Sequence, residues 1–213
     1  MYIMANICIT EIYIDGKQEK IDKLADFIEK YMEQTKPSDN ILKIMLNKLG
    51  INPKKYNCAM LIDYWAKPKK GTLFISAISK WGPNVKALNE IAKYFDPNCK
   101  LYFYAEEPSM DIFLSNDKES KYFNMYKLET GIIKDFVSKE EEDKFNSVFS
   151  VGDQYISKEK LTEKLDKFLG MKDLGFEEAK AICDADYWFE NSHGVEIIIR
   201  ETEYIDLDSP YID

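Results

Sequence analysis

Apolar and polar positions alternate along residues 5–15 (ANICITEIYID), the pattern of a half-buried strand, and Gly16 ends it. The period then changes. Ile21, Leu24, Ala25, Ile28 and Met32 recur at helical spacing, which predicts a helix over about 17–35. Ser38 or Asp39 is placed to cap a second helix running to Leu49, with Gly50 as its left-handed stop. Residues 57–65 (NCAMLIDYW) and 72–81 (TLFISAISKW) read as strands joined by the lysine-rich turn KPKKG at 67–71. Val85, Leu88, Ile91, Ala92 and Phe95 form the stripe of the next helix, over about 83–95, and Asp96-Pro97 stops it. A strand at 99–107 (CKLYFYAEE) follows.

That order is strand, helix, strand, strand, helix, strand, with one inserted helix. It predicts an α+β fold, a ferredoxin-like antiparallel sheet with two helices on one face, in which the first and fourth strands pair. Extra strands at 110–115 and 121–128 would extend the sheet, giving a first domain over residues 1–130. Residues 131–213 then form a helical and acidic C-terminal extension packed on the same domain. In it Ser138 and Glu141 have capping-box spacing, short helices fall at 158–169 and 176–184, and a last strand covers 194–205. The stretches MANICITEIYIDG (4–16), SKWGPNVKALNEIAKYF (79–95) and LYFYAEEP (101–108) together resemble the YubB-type ferredoxin-like domain family, over about residues 4–128. Members of that family usually begin at Met-Ala-Asn, so Met1-Tyr2-Ile3 is a small departure. They occur in phages, plasmids and bacteria rich in mobile elements. The resemblance therefore implies a fold and a genomic setting, and no activity.

Composition narrows the picture further. The chain has 213 residues, 45% hydrophobic and 14% aromatic, enough for a packed core. No apolar run is long enough to span a bilayer and no basic region precedes an apolar signal core, so the expected location is the cytoplasm, with no membrane partner. Cys8, Cys58, Cys99 and Cys183 lack CxxC spacing; reduced, buried thiols are expected rather than a zinc site, and no metal or cofactor. The net charge of −9 is unevenly spread. Asp184 to Asp213 holds nine acidic residues against Arg200 alone, a net of −8. Lys43 to Lys80 holds eight lysines against Asp63, a net of +7. These blocks face each other or make two surfaces, and the alternation of GVEIIIRETEYI favours two. A partner protein is thus expected, and nucleic acid is disfavoured by net charge and by the single arginine.

Candidate chemistry is sparse. At ISKWGPN (78–84), Pro83 suits the first helical position and Trp81 would cover the helix entry; alternatively the helix N-terminus holds an anion beside Lys80 and Asn84. Strand alternation turns Phe74, Tyr102 and Tyr104 toward the face away from the helices, with Lys80, Lys100 and Glu106. Such a face stacks single-stranded bases in RNA-recognition domains, but their glycine-aromatic signature is missing. Glu106, Glu107 and Asp111 cluster after the fourth strand, and Asp186, Glu190 and His193 before the last. A hydrolase or transferase would need one of these groups, yet Glu106 and Glu107 face opposite ways. The helices at 158–169 and 176–184 lack the basic footprint of a DNA-docking pair. The sequence thus favours a non-enzymatic interaction module. Its alternatives are an acidic DNA mimic, using Glu201, Glu203, Asp206 and Asp208, and a small carboxylate enzyme.

Overall fold

The computed structural model describes residues 7–34, 40–80, 82–107, 112–132, 138–170, 176–184, 195–209 and 212. They fall into two units, Met1–Tyr122 with Tyr204–Asp213, and Phe123–Glu203. The first contains β1 (Ile7–Asp15), α1 (Gln18–Gln34), α2 (Ile41–Lys48), β2 (Met60–Trp65), β3 (Thr72–Lys80), α3 (Lys86–Phe95), β4 (Lys100–Glu107) and β5 (Ile112–Ser115). The second contains β6 (Tyr126–Ile132), α4 (Lys139–Asn146), β7 (Gly152–Ile156), α5 (Lys158–Leu169), α6 (Phe176–Asp184) and β8 (Val195–Glu201). The chain then adds the two-residue β9 (Glu203–Tyr204) to the first sheet. The architecture is mixed, with antiparallel sheets and six helices among the described residues.

Strands of the first sheet lie in the order β2-β3-β1-β4-β5-β9. β1 is central, and every second residue from Cys8 to Ile14 (Cys8, Thr10, Ile12 and Ile14) is buried on one side. It pairs antiparallel with β3 and with β4, so Ile12 sits between Ile75 and Phe103. Cys8, Ile12 and Ile14 of β1 are buried with Ile75, Ala77, Phe103 and Ala105 against the apolar stripes of α1, α2 and α3. The three helices therefore share one face of the sheet. Gly71, at φ 78°, is fixed by close approach: its carbonyl accepts from Gly16 N–H at 2.9 Å, and a β-carbon there would strike the Gly16 carbonyl.

The second unit is a three-stranded sheet, β7-β6-β8, whose core joins Leu128, Phe145, Leu161, Leu165, Ile197 and Ile199. Ile197 and Ile199 point inward as the alternation predicts, whereas the side chain of Glu196 lies outside the described residues. Several boundaries differ from the sequence reading. The strand expected at 121–128 is β6, and it belongs to this separate sheet instead of extending the first. The division falls at Tyr122–Phe123 rather than near 130, and residues 204–213 return to the first unit. The last strand is broken at Thr202, whose buried N–H donates to Met125 at 2.7 Å. Asn40 caps α2, its side chain accepting from Lys43 N–H at 3.1 Å; Ser38 and Asp39 lie outside the described residues.

Candidate binding face of the first sheet

The face of the first sheet turned away from the helices carries Ile7, Ile9, Glu11, Tyr13 and Asp15 from β1. Phe74, Ser76 and Ile78 come from β3, Leu61 and Tyr64 from β2, and Tyr102, Tyr104 and Glu106 from β4. Side chains directly opposite on paired strands share a face, so the registers place these residues together. Ile7, Ile9, Leu61 and Tyr64 are 51%, 45%, 41% and 55% exposed. Four large apolar side chains exposed side by side on one sheet form a patch of the kind that marks interaction surfaces. Phe74 packs between Tyr13 and Tyr64, at ring-centroid distances of 5.0 and 6.3 Å.

One end of the face is covered from within the unit. The segment after β5 folds back so that Tyr122 stacks on Tyr13 at 4.2 Å and meets Tyr102 edge-on at 5.3 Å. Asp15 anchors it, accepting from the Tyr122 hydroxyl, from Lys121 and from Thr72 Oγ1 at 2.8 Å. Burial pushes the Asp15 carboxyl up, but these hydrogen bonds and the Lys121 charge outweigh it and leave it below the ordinary carboxylate range. At the centre of the face Glu11 is raised above its usual value. Partial desolvation by the flanking strands is the main cause and the neighbouring Glu106 charge the second.

The sequence-predicted residues divide. Phe74, Tyr102 and Glu106 lie on this face as the alternation predicts, half-buried. Tyr104 shares the face but is 4% exposed, with its hydroxyl on Glu106 at 3.1 Å, so it offers no ring for stacking. The cause is β5, which sets the buried Ser115 opposite Tyr104 and the buried Phe113 opposite Glu106. Lys80 is exposed at the end of β3, across from Ile7. Asn84 is not a surface group. It is buried at φ 51°, with its amide donating to the carbonyls of Gly82 at 3.1 Å and Lys80 at 3.3 Å. Because α3 starts at Lys86, Pro83 lies before the helix and not at its first position. Trp81 lies outside the described residues.

Glu107 is buried on the helix side, away from Glu106, so the two do not converge on one reaction centre. Asp111, Asp186, Glu190 and His193 lie outside the described residues. Among the described residues no three His, Cys, Asp or Glu side chains group closely enough to hold a metal ion. Cys8, Cys58 and Cys99 are buried and in no disulfide among the described residues; burial raises the Cys8 thiol and, with Asp96, pushes Cys99 up to about 11. In the acidic segment Glu201, Glu203, Asp206 and Asp208 are exposed. Glu201 lies 4.0 Å from Lys180 and 3.3 Å from the Tyr126 hydroxyl, and Asp206 accepts from Tyr204 at 2.6 Å. No helix among the described residues is long and apolar enough to cross a membrane.

Ile7, Ile9, Glu11, Tyr13, Asp15, Leu61, Tyr64, Ser76 and Ile78 are the members of the face that the sequence analysis did not single out. Their signal was the same alternation that defined β1, β2 and β3.

No protein-family model matches the chain, and no curated protein matches it. Among solved structures it is similar to "Crystal Structure of an Unknown Protein from Galdieria sulphuraria", at 8% identity and a TM-score of 0.24, over 93% of this chain and 99% of that one.

Proposed function

We propose that this protein is a non-enzymatic interaction module, a ferredoxin-like domain of the YubB type with a second unit, working in the biology of mobile genetic elements. Its working surface is the open face of the first sheet, and its partner is another protein. The ferredoxin-like reading is supported by the strand order β2-β3-β1-β4, with β1 antiparallel to both neighbours and the helices on one face. The observation that carries the functional reading is the exposed row of Ile7, Ile9, Leu61 and Tyr64 around the Glu11–Glu106 pair.

That chemistry selects the partner. Aliphatic side chains fit another apolar protein surface better than they stack on bases. Glu11, its carboxyl raised by partial desolvation and by the neighbouring Glu106 charge, favours a lysine or arginine arriving beside it. The partner therefore presents an apolar patch with a basic residue at its centre. The acidic DNA-mimic reading has less support, because Glu201 and Asp206 already have partners within the chain.

The test is affinity purification from the host, followed by mass spectrometry, with the wild-type chain, an Ile9→Ser/Leu61→Ser variant and a Glu11→Gln/Glu106→Gln variant. The first variant should lose the partner at unchanged melting temperature. The second should weaken it most at low salt. Retention of every partner by both folded variants would refute the surface assigned here.

A further inference from the structure

β5 covers only part of β4. Their pairing runs from Tyr104 to Glu107. Beyond it the side chain of Asn116 stands in for a strand, donating to Leu101 O and accepting from Phe103 N–H, both at 2.7 Å. On the edge of β4 away from β1, no strand among the described residues lies beside Lys100 and Leu101, and a cavity of about 470 Å³ opens there. Its walls come from α3, β4, the loop after β5, and Tyr204 with Leu207.

Asn89 of α3 lines this cavity. It is 6% exposed, and its side-chain amide makes no hydrogen bond among the described residues. The amide is not among the fully buried side-chain atoms without a partner, so its polar atoms reach the solvent of the cavity, where a ligand can pair with them. Three exposed lysines, Lys93, Lys100 and Lys118, surround the mouth. Lys93 has only a 3.7 Å tie to Glu90, and Lys118 lies over the Tyr204 ring at 5.6 Å. Of the two acids in the lining, Asp117 turns its carboxylate to the backbone N–H groups of Lys121 and Tyr122. Glu119 is left as the opposing charge.

We propose that this cavity binds a nucleoside monophosphate. The lysines take the phosphate, Tyr204 offers ring surface, and the Asn89 amide pairs with the donor–acceptor edge of the base. An asparagine amide matches such an edge with one donor and one acceptor, as it does in reading adenine. The cavity volume lies in the range of small-molecule sites. This site is separate from the open sheet face in chemistry, and its test does not depend on a partner protein.

The experiment titrates the full chain with AMP, GMP and inorganic phosphate by calorimetry, alongside Asn89→Leu and Lys100→Ala/Lys118→Ala variants. AMP or GMP should bind more tightly than inorganic phosphate. Asn89→Leu, which replaces an amide without a hydrogen bond among the described residues by an apolar side chain of similar size, should leave the melting temperature near that of wild type while weakening the nucleotide at least about tenfold. The lysine variant should weaken nucleotide and phosphate together. Three results would overturn the proposal. One is no binding of any probe at about 10 mM. The second is equal affinity for phosphate and nucleotides. The third is nucleotide affinity unchanged in a folded Asn89→Leu or lysine variant.

Discussion

Asn84 gives the sharpest test of whether the ISKWGPN junction is built for stability or for a ligand. The residue is buried at φ 51°, and its amide satisfies two carbonyls, Gly82 and Lys80. Asn84→Ala removes both hydrogen bonds, about 1 kcal/mol each. It also forces a side chain without local hydrogen bonding into the left-handed region, which costs about 1 kcal/mol more than asparagine does there. The total is about 3 kcal/mol. Asn84→Gly loses the same two bonds but adopts positive φ freely, so it should cost about 2 kcal/mol, part of it through the unfolded chain. The ordering matters more than either value.

Urea titration of the full chain measures the loss, with hydrogen exchange of β3 peptides assigning the transition to the first unit. An Ala variant within about 0.5 kcal/mol of wild type would refute the structural account of this residue, since that is the ordinary range for surface positions. So would a Gly variant less stable than the Ala one. Loss of an anion at unchanged stability would restore the helix-terminus reading.

Two further outcomes follow from the same contacts. Phe103 and Phe145 are fully buried, one in each unit's core, so Phe103→Ala should cost the first unit and Phe145→Ala the second about 3–5 kcal/mol. Hydrogen exchange of β1 and of β6 separates the two effects, and loss of protection confined to the wrong unit in either variant would count against the division at Tyr122. Asp15 has a folded-state pKa below its unfolded one, so its contribution is fully present above the ordinary value near ~3.9 and fades as pH falls through the lowered value. Asp15→Asn should lower stability at neutral pH and flatten the acid limb below pH ~4 in pH-dependent urea titrations; an unchanged acid limb would show that the Lys121–Tyr122 clasp contributes nothing.

Much of the first unit was legible because its strands alternate strictly. In β1 the buried Cys8, Ile12 and Ile14 interleave with exposed or half-buried neighbours, and α1 repeats its apolar residues at helical spacing. The helices read at 158–169 and 176–184 match α5 and α6 for the same reason. What the sequence did not reveal depends on partners far along the chain. Nothing local in Tyr126–Ile132 says that it pairs with β7 and β8 instead of β5. The strand β7 (GDQYI) is short and weakly alternating, so it left no pattern to read. Parity put Tyr104 on the correct face, yet its burial is set by β5 on the neighbouring edge. The cavity beside β4 was equally hidden, because it exists only where β5 stops and Asn116 takes over.

The covered end of the sheet face and the cavity share one loop, residues 116–122. Asp117 lines the cavity and holds the N–H groups of Lys121 and Tyr122, while the Tyr122 ring lies on Tyr13. A displacement of Asp117 is therefore a displacement of Tyr122. A ligand in the cavity shifts that loop only if its affinity differs between two loop positions. Linkage then fixes the outcome: if a nucleotide changes partner affinity by some factor, the partner changes nucleotide affinity by the same factor. Equal and reciprocal factors would mean that the loop has two positions and couples the two surfaces. No change in either direction would mean that Asp15, Thr72 and Asp117 hold it in one, and that the cavity and the sheet face act as independent sites on a common strand.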